Sequence, residues 1–187
     1  MNVPNFITLA RLFSVPVVVW LILDGNMLVA FWVFLIAALS DAADGIIAKQ
    51  FDSETVFGAF LDPIADKVLL VSVYLSLGHQ GHLETWLVIM VVFRDVVIVG
   101  GAILFHTVTL SLTMQPLLIS KVNTFMQLIL AIVVLGREGF AVEDGVAIDI
   151  IAYIVVVTTV WSGVGYVVEW SRRATALESG GDVEKGK

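Results

Sequence analysis

Six long apolar stretches constrain this chain more than any other feature of its sequence. Each holds about 16 to 24 residues, close to the roughly 20 residues that an α-helix needs to cross a bilayer core. Short polar breaks separate them. The predicted spans are Phe6–Leu23, Met27–Lys49, Phe57–Leu77, Glu84–Phe105, Ser120–Leu135 and Ala147–Trp170. The pattern predicts an all-α membrane protein with six transmembrane helices.

Composition agrees with this fold class and narrows the partners. Hydrophobic residues make up 59% of the chain and charged residues 14%, which is more apolar than ordinary soluble domains. The formal net charge of −7 argues against a nucleic acid partner, which would call for a basic face. The chain has no cysteine, which excludes disulfides and thiolate metal ligands. We expect one transmembrane domain over residues 1–170 and a disordered polar tail over residues 171–187.

The distribution of basic residues predicts the orientation of the spans. If the N-terminus is cytoplasmic, six spans return the C-terminus to the cytoplasm. Four basic residues then fall at cytoplasmic ends, namely Lys49, Lys121, Arg172 and Arg173. The opposite side is mostly acidic and holds one lone basic residue, Arg137. This asymmetry follows the positive-inside rule, so we expect both termini on the cytoplasmic side.

Four aspartates interrupt the apolar pattern at the cytoplasmic ends of spans two and three. They are Asp41, Asp44, Asp62 and Asp66. A carboxylate is costly in an apolar setting unless it has a ligand or a partner. On helices, Asp41 and Asp44 share one face, and Asp62 and Asp66 share another. Folded against each other, the two faces would form an oxygen cage for two hard divalent cations, and paired metals suit phosphoryl chemistry.

Two other interpretations of these aspartates remain open. Solvated carboxylates at helix ends would explain a single aspartate better than four in this arrangement. A divalent-cation channel or carrier also uses intramembrane aspartates, but it predicts acidic residues along a pore through several spans. Here the four cluster at one membrane face, and the apolar parts of spans two and three offer no continuation. The pattern therefore favours an enzyme over a channel or carrier.

The run from Asp41 to Asp66 resembles the signature of a known enzyme family. It reads D-x2-D-G-x2-A-K-x8-G-x3-D-x3-D, with eight fixed positions over 26 residues. This run is similar to that of the CDP-alcohol phosphatidyltransferases, which displace CMP from a CDP-linked lipid or alcohol with a second alcohol. Lys49 stands where the family usually has arginine, which keeps the positive charge but loses bidentate geometry. The six predicted spans also match the family fold.

The resemblance implies roles for the residues of this run. Asp41, Asp44 and Asp62 would be direct ligands of two divalent cations, Mg²⁺ or Mn²⁺. Asp66 would complete the second metal site and act as general base. The CDP moiety would be held by Asp44 and by the positions Gly45, Ala48, Lys49 and Gly58.

The N-terminal segment resembles one branch of the family. Residues 2–11 match the pattern N-x-P-N-x-x-T-x-x-R of enzymes that use CDP-diacylglycerol and glycerol-based acceptors. That branch includes phosphatidylglycerophosphate synthases and the eukaryotic-type cardiolipin synthases. We expect Asn5, Thr8 and Arg11 to contribute to CDP-diacylglycerol binding, with Arg11 reaching a substrate phosphate.

Two basic residues farther along the chain are candidates for binding the acceptor's phosphate. They are Arg94 in span four and Lys121 in span five. For Arg94 the alternative is a structural ion pair with Asp95 or another buried acid. For Lys121 the alternative is an anchoring role, with its ammonium group at the membrane interface.

The segments around these two residues are more similar to the cardiolipin synthases. Phosphatidylglycerophosphate synthases more often carry a second cation where Asn123 stands. Phosphatidylglycerol presents a singly charged phosphodiester, so it needs fewer cations than glycerol 3-phosphate. The sequence thus predicts a cardiolipin synthase that transfers a phosphatidyl group from CDP-diacylglycerol to phosphatidylglycerol. Phosphatidylglycerophosphate synthesis from glycerol 3-phosphate is the alternative.

The resemblance also implies an assembly and a location. We expect a homodimer in a bacterial inner membrane or a mitochondrial inner membrane. The active site would face the cytoplasm or the matrix.

Overall fold

The computed structural model describes the backbone of residues 3–51, 56–109, 118–143 and 145–184. Side chains are described for residues 9–40, 65–101, 118–143, 145–169 and 171–172. Within this part of the chain the regular structure consists of six α-helices and no strand. The helices are α1 (Val3–Leu23), α2 (Met27–Phe51), α3 (Val56–His79), α4 (Thr85–Thr109), α5 (Leu118–Gly139) and α6 (Val146–Glu184). The prediction of an all-α fold is confirmed.

The first five helices lie within a few residues of the predicted spans. Two helical segments in the described residues are long and apolar enough to cross a membrane, Leu118–Gly139 and Val146–Glu169. Two shorter apolar segments, Leu9–Leu23 and Met27–Ser40, occupy α1 and α2. The six-span topology and the side on which the termini lie remain predictions.

The sixth helix extends beyond the predicted span Ala147–Trp170. It begins at Val146 and continues to Glu184. The residues after Trp170 include strong helix formers, among them Arg172, Ala174 and Leu177. The division of the chain into a domain over residues 1–170 and a tail over residues 171–187 remains a prediction.

Two tight turns align the helices so that alternate ones run in the same direction. Gly25 has φ +81° between α1 and α2, and Gly81 has φ +79° between α3 and α4, a conformation that glycine adopts without a steric penalty. The side chain of Gln80, just after α3, donates to the carbonyl oxygens of Ile22 and Leu23 at the end of α1. The C-terminal ends of α1 and α3 are therefore neighbours, and so are their N-terminal halves.

The core of the bundle is formed by aliphatic and aromatic side chains from all six helices. α1 packs against α2 and α3, α5 packs against α2 and α6, and α4 packs against α3 and α6. The largest fully buried side chains are Tyr74 and Phe34. By contrast, large apolar side chains on the outside are well exposed, including Phe13 at 71% and Phe93 at 69%. An outer surface this apolar suits hydrocarbon chains and not water.

Candidate active site

A cavity of about 500 Å³ opens between α1, α2, α3 and α5. Its charged and hydroxyl-bearing residues come from α1, α3 and α5, and they are Arg11, Asp66, Ser120, Lys121 and Thr124. Most of these lie near the end of the bundle where α3 and α5 begin. Deeper along the helices the lining is apolar and includes Phe34, Leu69, Leu70 and Leu128. The cavity is therefore amphipathic, with a charged end and an apolar interior.

Arg11 and Asp66 form an ion pair at the charged end. Arg11 Nη1 donates to Asp66 Oδ1 at 2.6 Å, which joins α1 to α3. Arg11 is 4% exposed, whereas the side chain of Asp66 is 36% exposed. Asp66 can therefore meet a molecule in the cavity, while the guanidinium group holds one of its oxygens in place. That Arg11 reaches a substrate phosphate remains a prediction.

The other three predicted metal ligands lie on α2 and α3. Asp41 and Asp44 belong to the C-terminal half of α2, and Asp62 precedes Asp66 by one turn of α3. Asp41 also follows Ala37, a residue of the cavity wall, by one turn. The backbone therefore carries both aspartate pairs on helices that form the cavity. The side chains of these three aspartates lie outside the described residues, as do those of the predicted CDP-binding residues Asn5, Thr8, Gly45, Ala48, Lys49 and Gly58.

The donor chemistry of the four aspartates fits a hard divalent cation. Among the side chains that the structure describes, no three potential metal ligands come together. Asp66 belongs to that set, and its partly exposed carboxylate is the oxygen donor that Mg²⁺ and Mn²⁺ prefer. With Asp41 and Asp44 on α2 and Asp62 on α3, the sequence supplies an all-oxygen ligand set. Metal binding itself remains a prediction.

Lys121 is the cation on the α5 wall of the cavity. Its side chain is exposed, and it forms no ion pair with another residue whose side chain is described. The hydroxyl groups of Ser120 and Thr124 line the same wall, and Thr124 Oγ1 donates to the carbonyl oxygen of Ser120 at 3.1 Å. An exposed ammonium group on this wall is suited to an anionic oxygen.

Arg94 lies in a buried polar network and does not line this cavity. It is 4% exposed, and its Nη1 donates to Asp95 Oδ1 at 2.6 Å. Its Nη2 donates to Ser120 Oγ at 2.7 Å and also to Ser162 Oγ. Lys67 Nζ donates to the same Asp95 oxygen at 2.7 Å. The ion pair with Asp95, the alternative raised for Arg94 from the sequence, is thus present, and the acceptor-phosphate role of Arg94 remains a prediction.

Asn123 faces α6 and is fully buried. Its Oδ1 accepts hydrogen bonds from Thr158 Oγ1 at 2.8 Å and Thr159 Oγ1 at 2.9 Å. Asn123 is therefore not part of the cavity wall. The presence of asparagine at position 123 in place of a second cation does not directly change the charge of the cavity. One turn farther along α5, Gln127 is also fully buried.

Several members of these networks are not among the functional residues predicted from the sequence. Lys67 could have been found, because a charged residue inside an apolar span implies a partner. Ser120 and Ser162 carry no such signal, because serine is common in apolar helices.

Fold and site together define a class of protein. A helical bundle with an apolar outer surface, and with a cavity charged at one end and apolar beyond it, is suited to an amphiphilic ligand. The sequence model of the family described as CDP-alcohol phosphatidyltransferase matches residues 1–161. The chain belongs to this membrane-bound family.

Individual relatives divide between two activities. A rice protein, CDP-diacylglycerol–glycerol-3-phosphate 3-phosphatidyltransferase 1, chloroplastic, is 34% identical over 91% of this chain and 57% of its own length. The rat cardiolipin synthase (CMP-forming) is 32% identical over 88% of this chain and 60% of its own length. A CDP-diacylglycerol–glycerol-3-phosphate 3-phosphatidyltransferase from Rickettsia typhi is 29% identical, with 88% of this chain and 94% of that protein covered. The chain thus spans less than two thirds of the rice and rat proteins.

Proposed function

We propose that this protein is a cardiolipin synthase, which transfers a phosphatidyl group from CDP-diacylglycerol to phosphatidylglycerol and releases CMP. The observation that supports this most is the partly exposed Asp66 carboxylate at the charged end of an otherwise apolar cavity, with cations on either wall. A lipid with a phosphate-containing headgroup has the same division into an anionic end and an apolar end. Its headgroup would occupy the charged end, and its acyl chains would stay in the bilayer.

The proposed reaction needs one base and an anchored electrophile. Asp66 would take the proton from the primary hydroxyl of phosphatidylglycerol, whose oxygen attacks the phosphorus that carries diacylglycerol. The bond between that phosphorus and the CMP oxygen breaks, and CMP leaves. Two divalent cations held by Asp41, Asp44, Asp62 and Asp66 would supply neutralisation of the diphosphate charge. The bond from Arg11 would keep the Asp66 carboxylate directed at the cavity.

The distribution of cations supports the choice of acceptor. Of the described side chains that line the cavity, two are cationic, Arg11 and Lys121. Arg11 is bonded to Asp66, and Arg94 is held inside the bundle by Asp95. Lys121 is then the main cation available to the acceptor's phosphate. One cation matches a singly charged phosphodiester better than the dianionic phosphate of glycerol 3-phosphate.

Phosphatidylglycerophosphate synthesis is the second candidate function. It is favoured by the rice relative, which carries that activity in its name, and by the Rickettsia relative, of which the chain covers 94%. On this alternative the acceptor is glycerol 3-phosphate, and the donor and the base are unchanged.

An acceptor assay decides between the two functions. Purified protein would be supplied with CDP-diacylglycerol, Mn²⁺ and either phosphatidylglycerol or glycerol 3-phosphate, and CMP release would be measured. We expect turnover with phosphatidylglycerol, loss of turnover on chelation and recovery when Mn²⁺ is restored. Turnover of glycerol 3-phosphate with none of phosphatidylglycerol would establish the second candidate. A channel or carrier would release no CMP with either acceptor.

Assembly and location are also part of the proposal. Family resemblance supports a homodimer, and the positive-inside pattern supports an active site on the cytoplasmic or matrix side of a bacterial or mitochondrial inner membrane.

A further inference from the structure

We propose that Asp95 is a positioning residue for the acceptor side of the cavity. Its buried carboxylate holds Lys67 and Arg94 inside the bundle, and it thereby fixes α3 and α5 relative to each other. This inference rests on the proposed function, because it concerns how the acceptor's binding site is held in shape.

One carboxylate oxygen serves two cations. Asp95 is 3% exposed, and its Oδ1 accepts from Lys67 Nζ at 2.7 Å and from Arg94 Nη1 at 2.6 Å. Lys67 belongs to α3, whereas Asp95 and Arg94 belong to α4. The shared oxygen therefore adds charge-assisted bonds between two helices that also pack against each other.

Arg94 extends the connection to the remaining two helices of this side. Its Nη2 donates to Ser120 of α5 and to Ser162 of α6. On the α3 wall, the proposed base Asp66 is followed directly by Lys67, which the network holds. On the α5 wall, the proposed acceptor cation Lys121 is preceded directly by Ser120, which the network also holds. The bonds centred on Asp95 therefore connect the two walls next to the base and the acceptor cation.

The charge balance predicts which member of the network matters most. Without the Asp95 charge, Lys67 and Arg94 would be two neighbouring cations with no anion between them. Lys67 has a side chain 26% exposed and can turn outward, but Arg94 is buried and cannot. Removing the charge of Lys67 instead leaves the neutral pair of Arg94 and Asp95 intact. Asp95→Asn should therefore impair acceptor binding much more than Lys67→Met does.

Enzyme kinetics of the protein test the proposal. For Asp95→Asn, we expect the KM for the acceptor to rise on the order of 10-fold or more, because small misplacements of binding groups are costly. The KM for CDP-diacylglycerol should stay within about twofold. Adding Lys67→Met to Asp95→Asn should recover part of the loss, because it removes one of the two unbalanced cations. Asp149→Asn, the same change at an exposed site on α6, is the matched control and should behave like the wild type.

A distance measurement tests the proposal without using activity. The chain contains no cysteine, so Val68→Cys and Val122→Cys can carry spin labels on α3 and α5 at exposed positions beside the two cavity walls. Asp95→Asn should shift or broaden the distance distribution between these labels, and Asp149→Asn should leave it unchanged.

The outcomes separate this proposal from the proposed function. If the wild type turns over neither acceptor, the proposed function fails, and the label distances alone decide whether Asp95 fixes α3 against α5. If the wild type is active but Asp95→Asn changes neither the acceptor KM nor the distances, Asp95 is not a positioning residue. A lower active fraction with both KM values unchanged would assign Asp95 a role in stability only and would also overturn the proposal.

Discussion

Replacing Asp66 by asparagine separates the chemical role of this residue from its structural role. Asparagine has the same shape and keeps an oxygen that can accept the bond from Arg11 Nη1, but it cannot take a proton or neutralise a cation. A general base contributes typically 10²- to 10⁴-fold to rate, so we expect CMP release to fall by about that factor. Binding of Mn²⁺ should partly survive if the other three aspartates act as ligands.

The expected loss of stability is much smaller. The change replaces an ion pair by a hydrogen bond from the charged Arg11 guanidinium to a neutral amide oxygen. It costs about 1–3 kcal/mol, because a hydrogen bond to a charged group contributes about that much and Arg11, which is 4% exposed, loses its counter-charge. Asp66 is 36% exposed, which keeps the cost at the low end of this range. For a chain of this size the Tm should fall by about 2–4 °C.

The assay measures CMP release from CDP-diacylglycerol with saturating acceptor and Mn²⁺, alongside thermal unfolding in detergent. Asp149→Asn serves as the control for removal of a carboxylate charge. If Asp66→Asn retained more than about a tenth of the wild-type rate, Asp66 would not be the base. A collapse of Tm far beyond 4 °C would show that the ion pair with Arg11 is chiefly structural, and the kinetic loss could not then be assigned to chemistry.

Three further substitutions concern α5. Lys121→Met should raise the KM for the acceptor about 10-fold or more, since a hydrogen bond to a charged group contributes about 1.5–3 kcal/mol. The KM for CDP-diacylglycerol should stay nearly unchanged. Equal effects on both KM values would argue against an acceptor role. Asn123→Leu should lower the free energy of unfolding by about 1–3 kcal/mol in a denaturant titration, because the buried hydroxyl of Thr159 loses its acceptor, whereas Thr158 keeps the carbonyl oxygen of Ile154. Gln127→Met should raise the free energy of unfolding, because neither polar atom of the Gln127 side chain has a hydrogen-bond partner among the described residues. A loss of stability would contradict this and would indicate a water molecule bonded to Gln127.

The contrast between Lys121 and Arg94 shows that the sequence does not predict which way a charged side chain on a helix faces. Both are basic residues in apolar spans, and both were predicted to bind the acceptor's phosphate. The structure exposes Lys121 on the cavity wall and buries Arg94 against Asp95, Ser120 and Ser162. Local sequence places a charge on a helix, but only the packing of four helices decides which direction that charge faces.

The sequence by itself determined the helices, because long apolar runs bounded by polar breaks permit little else in a membrane, and backbone hydrogen bonds there must be satisfied within each helix. It also determined the family, because the aspartate run has a fixed spacing that chance does not produce. The tertiary structure alone decided that Arg11 pairs with Asp66, that Asn123 faces α6 and that one oxygen of Asp95 serves two cations. Three of these contacts, Arg11–Asp66, Asn123–Thr159 and Lys67–Asp95, join residues 28 to 55 positions apart, and a local sequence pattern does not encode such pairings.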